Sequence, residues 1–107
     1  MREKRKYQRA ELSTEVTVSA ADGLTFTTQS RDVGLGGIFL VGPMRVPIGT
    51  QVSLRFELPV QGPLSVPAFV RWSTGRGFGL QFGLLGARET HALVDFVRSC
   101  GVPVPAE

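Results

Sequence analysis

The stretch Thr50-Gln51-Val52-Ser53-Leu54-Arg55-Phe56-Glu57-Leu58 alternates polar and apolar side chains without a fault. A period of two is the signature of a β-strand, whose successive side chains point to opposite faces. Val52, Leu54, Phe56 and Leu58 therefore belong to a core, and the residues between them to solvent. The same logic finds Glu15–Ser19, then Leu24–Gln29 after the Asp22-Gly23 hairpin signal. It also finds Gly37–Val41, Val66–Trp72 and Phe78–Gln81-Phe82, with Gly75-Arg76-Gly77 as a turn between the last two. Pro43, Pro47, Gly49, Pro59 and Gly62-Pro63 punctuate the rest. Six short strands with short connections favour an antiparallel barrel or sandwich.

The period changes once. Leu93, Phe96, Val97 and Cys100 follow helical spacing, with Arg88, His91, Asp95 and Arg98 on the opposite side, which predicts a helix over 87–99. Gly101 and Pro103 supply its stop. At 107 residues the chain has the length of one domain. It divides into an arm (1–12), a barrel carrying the C-terminal helix (13–101) and a tail (102–107). The expected class is mainly β, with one C-terminal α-helix.

Charge is informative by position. Arg2, Lys4, Arg5, Lys6 and Arg9 stand against Glu3 in the first nine residues, which outweighs the net +3 of the whole chain. A basic arm on a nearly neutral body suits an anionic partner; a solvated terminus has the same composition. The start lacks the apolar region of a secretory signal and no run approaches membrane-spanning length, so the expected location is the cytoplasm, without membrane insertion. One cysteine and one histidine offer neither an internal disulfide nor a Cys/His metal site.

Catalysis finds no support. His91 falls on the polar helix face and Cys100 on the apolar one, so they make no nucleophile–base pair. Neither GxGxxG nor GxxxxGK[ST] occurs. The informative segments are Arg5-Lys6-Tyr7-Gln8-Arg9 and Asp32-Val33-Gly34-Leu35-Gly36-Gly37. Arginine offers a planar fork for phosphate or for the O6/N7 edge of guanine. Asp32 is an acceptor for guanine N–H groups. Gly34, Gly36 and Gly37 could expose backbone N–H groups to a phosphate, or simply form a bulged hairpin. Donors on one segment and an acceptor with N–H groups on the other point to a guanine nucleotide.

In these residues the chain resembles the PilZ domain family, bacterial receptors for the second messenger cyclic di-GMP. That family carries RxxxR in an N-terminal arm and [D/N]xSxxG some 20–30 residues later, on a six-stranded antiparallel barrel with a C-terminal helix. Arg5 and Arg9 match the first motif; Asp32 and Gly37 match the second. Ile38-Phe39-Leu40, Val70-Arg71-Trp72 and Gly77–Phe82 are similar to the family's strands. The resemblance implies that Arg5 and Arg9 hold guanine and phosphate, while Asp32 and the turn through Gly34 and Gly37 hold the other edge. The motif's serine is Gly34 here. One lost hydroxyl hydrogen bond of about 0.5–1.5 kcal/mol weakens binding by roughly tenfold.

Lys4, Lys6, Arg31 and Gly36 are secondary candidates. Lys4 and Lys6 add attraction to a dianion, or are solvated charge; Arg31 approaches a phosphate, or pairs with a carboxylate. Tyr7 either stacks on a base or anchors the arm. Trp72, Cys100 and the phenylalanines read as core, and His91 and Arg76 as surface. The resulting expectation is a non-enzymatic cyclic di-GMP effector, with no resident cofactor or metal. Its arm orders on the ligand and signals to a separate, unidentified protein. The alternatives are an adaptor that has lost the ligand, and a small basic barrel binding single-stranded nucleic acid.

Overall fold

The structure is a computed structural model that describes residues 8–43, 45–100 and 102–103. Its strands are β1 (Gln8–Glu11), β2 (Glu15–Ala20), β3 (Thr25–Gly34), β4 (Gly37–Val41), β5 (Gln51–Leu58), β6 (Gly62–Ser73), β7 (Gly77–Phe82) and β8 (Val102–Pro103). The helix α1 spans Ala87–Cys100, between β7 and β8. All pairings are antiparallel, and β2-β5-β6-β7-β4-β3 closes on itself through β2–β3. This is the six-stranded barrel expected. Outside it, β1 pairs with β3, and β8 pairs with β1.

Alternation decides what the barrel encloses. On β5, Val52, Leu54, Phe56 and Leu58 are buried, and on the facing β6 so are Leu64, Val66, Ala68 and Val70. Each valine, leucine or phenylalanine buried in this way stabilises the fold by about 1.5–3 kcal/mol. The helix adds Ala92, Leu93, Phe96 and Val97 to the same core. Cys100, expected on that apolar face, is exposed: the last helical residue lies beyond the surface the barrel covers. Gln61, in the β5–β6 turn, donates from Nε2 to Asp95 Oδ2 at 2.7 Å and ties that turn to the helix. No helix among the described residues is long and apolar enough to cross a membrane.

The hairpin expected at Asp22-Gly23 is present. Gly23 has φ +98°, and Asp22 Oδ1 accepts from the Leu24 N–H at 3.0 Å. Two strands are longer than their alternation suggests. β6 begins at Gly62, because a positive φ of 90° lets that glycine turn the chain straight back onto Leu58. β3 continues through Ser30-Arg31-Asp32 to Gly34, so the charged pair belongs to a strand.

Strand β3 changes partner along its length. Thr25 to Gln29 pair with β2, whereas Asp32, Val33 and Gly34 pair with Glu11, Ala10 and Arg9 of β1. Ser30, the buried polar residue among those described, stands at the changeover. Its backbone N–H donates to Thr14 O at 2.9 Å, its hydroxyl accepts from Thr14 N–H at 3.1 Å, and the same hydroxyl donates to Leu12 O. Leu12 N–H in turn donates to Arg31 O at 3.1 Å. The hydroxyl thus satisfies a part-buried donor and a buried acceptor of the β1–β2 connection, and sets where β1 lies. Ser30→Ala is expected to lower unfolding free energy by about 1–3 kcal/mol, the cost of leaving such groups unpaired. Urea unfolding checks this; a loss below ~0.5 kcal/mol would show that the connection holds itself.

Candidate functional site

Two strands interrupt their alternation at neighbouring places in the barrel. Opposite β4, β3 shifts register between Ser30 and Asp32; opposite β7, β6 shifts between Val70 and Trp72. A bulge inserts an extra residue and re-aims the side chains that follow it. On a regular strand, Arg31 and Asp32 would point to opposite faces. Here Arg31 Nε donates to Asp32 Oδ2 at 2.8 Å. Trp72 continues the buried series Leu64, Val66, Ala68, Val70 in sequence, yet it is 47% exposed. The second bulge turns the indole outward, which overturns the expectation that it belongs to the core.

Arg9, on β1, stands opposite Gly34 and reaches Asp32. Its Nε and Nη2 lie 2.7 and 2.6 Å from Asp32 Oδ1, so each carboxylate oxygen receives one arginine. The Arg31 guanidinium also lies over the Phe39 ring, 4.0 Å from its centroid, in a cation–π contact. The aspartate expected to read a ligand is thus engaged by two guanidinium groups. Such pairs are worth little where solvent reaches them. The Arg9 side chain is 38% exposed, against 18% for Asp32.

The glycine segment is a hairpin turn between β3 and β4, with Leu35 and Gly36 at its tip. Gly36 O accepts from Phe82 N–H at 2.8 Å, which pins the tip to β7. Gly37 is buried in β4 opposite Gln81. A Cβ there would collide with the Leu80 carbonyl oxygen, so this glycine is required by the close approach of two strands. None of Gly34, Gly36 and Gly37 has a positive φ. They therefore lack the alternating-handed backbone of an anion nest, and the hairpin reading of this segment holds.

Two clefts flank Arg9 and Trp72. The larger, of about 460 Å³, is walled by Arg31, Asp32, Phe39 and the β6–β7 turn from Thr74 to Arg76. The smaller, of about 270 Å³, runs along Gly34–Gly37 to Leu80 and Gln81. Both share Arg9 and Trp72. A third hollow of about 500 Å³ is lined by Arg9, Ala10, Glu11, Asp32 and the exposed Cys100. Of the residues singled out from sequence, Arg9, Arg31, Asp32, Gly34, Gly36 and Gly37 come together here. Lys4, Arg5, Lys6 and Tyr7 lie outside the described residues. Sequence reasoning missed Trp72 and Arg76, and the Gly75–Gly77 turn signal was the only hint of the latter. Among the described residues, no cluster of His, Cys, Asp and Glu could hold a metal ion.

The PilZ domain family model matches residues 3–99, and the chain belongs to that family. Among solved structures it resembles "PilZ domain with c-di-GMP of YcgR from Escherichia coli" (TM-score 0.76, 15% identity, covering 92% of each chain). Bacillus subtilis MotI/DgrA, an inhibitor of motility, aligns with TM-score 0.76 and 20% identity over 91% of this chain and 51% of that one. A complex of MrkH from K. pneumonia with c-di-GMP gives 0.74 and 11%, again over 91% and 51%. The chain thus spans about half the length of MotI and MrkH, and nearly all of the YcgR domain. No curated relative matches it in sequence.

Removing the Asp32 charge leaves Arg9 and Arg31 facing each other without their shared acceptor. Asp32→Asn is expected to cost no more than about 1 kcal/mol of stability, given the exposure of Arg9, and less in 1 M salt. Thermal melts at two salt concentrations measure this; a salt-independent loss above ~2 kcal/mol would make the ion pairs structural.

Proposed function

We propose that the chain is a receptor for cyclic di-GMP, cytoplasmic and non-catalytic, that passes the signal to a separate protein. The observation that carries this reading is the junction of Arg9, from the arm, with Asp32 beside the Gly34–Gly37 turn, at the meeting of two open clefts. Residues 23 apart in sequence meet there through β1–β3 pairing. The likeness in fold to a PilZ domain solved with c-di-GMP supports the same reading. In mechanism, the dinucleotide competes for the two arginines that Asp32 now holds. Phosphate accepts their N–H groups, and the freed carboxylate accepts guanine N–H groups. The part of the arm ahead of β1 closes over the ligand because the ligand contacts both segments, which offsets the entropy of ordering it. The altered arm surface then faces the partner.

The ligand-free adaptor remains a second reading because of two specific features. Asp32 is already neutralised by Arg9 and Arg31, and position 34 carries no hydroxyl. The nucleic-acid reading has less to rest on. Phe39, Phe56, Phe78, Phe82 and Phe96 are buried, whereas strand-tracking proteins expose a row of aromatics.

Isothermal titration with cyclic di-GMP decides between receptor and adaptor. Saturable heat is expected, lost in the double variant Arg5→Ala, Arg9→Ala while the melting temperature changes by only a few degrees. Heat that persists in that variant would remove the arginines from the site, and none in the wild type would leave the adaptor. Gly34→Ser is expected to tighten binding by roughly tenfold, the worth of one hydroxyl hydrogen bond. Weaker binding would mean that the pairing of position 34 with Arg9 leaves no room for a side chain.

A further inference from the structure

The indole of Trp72 is an exposed aromatic with an unusual seat. A Cβ on Gly79 would collide with three atoms of its six-membered ring, so that ring lies against the Gly79 backbone. Trp72 and Gly79 are register partners across β6 and β7, at the bulge that turns the side chain outward. The ring is thus supported beneath by main chain while remaining 47% exposed. It borders both clefts, as Arg9 does. A tryptophan held this way loses little further freedom when something flat is laid on it.

The surroundings indicate what that flat group carries. Around the larger cleft stand Arg9, Arg31 and Arg76, against Asp32 alone. Arg76 sits in a fixed turn: Thr74 Oγ1 accepts from Arg76 N–H at 3.1 Å and from Gly77 N–H at 3.2 Å, and Arg76 O accepts from Gly42 N–H at 3.1 Å. Three cations around one anion beside an aromatic plate suit an anionic ligand bearing planar bases.

Resting on the cyclic di-GMP reading above, we propose that Trp72 is the stacking platform for one guanine of the dinucleotide. Arg76 borders the larger cleft together with Trp72 and attracts the adjoining phosphate. The two bases are divided between the clefts that meet at Arg9 and Trp72. Stacking does not distinguish one base from another, since every base offers a π-face. Trp72 therefore contributes affinity, while Asp32 supplies the choice of guanine.

Trp72 is the chain's only tryptophan, so its emission reports on this one position. Cyclic di-GMP is titrated into the full chain, with calorimetric heat and indole fluorescence recorded in parallel. Quenching that saturates with the same midpoint as the heat is expected. Trp72→Ala is expected to weaken calorimetric binding by roughly five- to a hundredfold, and Trp72→Phe by distinctly less. Both variants should melt within a few degrees of the wild type, because the indole lies outside the core. Heat without a fluorescence change, or wild-type affinity in Trp72→Ala, overturns the platform and leaves the receptor reading intact. Absence of both heat and quenching removes the two together. Quenching by a single-stranded oligonucleotide that cyclic di-GMP cannot displace also overturns the proposal.

Discussion

A strand in a closed barrel has an inside and an outside, and a strict period of two assigns every side chain to one or the other. The candidate site exists because that assignment is broken twice, on β3 between Ser30 and Asp32 and on β6 between Val70 and Trp72. Each break re-aims side chains that the period would separate or bury. The first lets Arg31 and Asp32 meet, and the second puts an indole on the surface. The strands flanking both breaks are β4 and β7, which pair with each other, and Phe39 stands opposite Gly79, so the two irregularities lie at the same level of the barrel.

The second requirement is a fixed place for the arm. A basic terminus on a flexible tether would meet Asp32 only in passing. Here Ser30 binds the β1–β2 connection with both its backbone and its hydroxyl, and β1 then runs alongside Asp32 to Gly34. Arg9 is delivered to Asp32 by sheet registration, and the ion pair follows from it. That order matters energetically, because a half-exposed pair of this kind is too weak to position a strand. Backbone pairing and one satisfied buried hydroxyl do the positioning.

The glycines show how one residue type serves separate ends. Gly37 is where two strands approach too closely for a Cβ, and Gly79 is the seat of the indole. Gly34, by contrast, stands opposite Arg9 where the family motif carries serine. Read together as a flexible phosphate cradle, Gly34, Gly36 and Gly37 promised backbone N–H groups. In the fold they make a hairpin whose tip is hydrogen-bonded to β7. The cleft therefore owes its chemistry mainly to side chains: arginines, one carboxylate and an aromatic plate.

The barrel was legible in the chain because its evidence is local: alternation on 50–58, the Asp22-Gly23 turn and the helical spacing of Leu93, Phe96 and Val97 each need only neighbouring residues. The arginine of the arm and Asp32 could likewise be singled out, since charge and spacing are written in one dimension. Trp72 could not, because five positions of perfect alternation place it inside and only the register against β7 reveals the extra residue that turns it out. Cys100 was misplaced for a related reason: helical periodicity defines a face, but not how far the barrel beneath extends. What the sequence determined alone was the set of elements and the candidate charges. Which of them share a cleft was decided by pairing between distant strands, where a shift of one residue changes the side of the sheet on which a side chain stands.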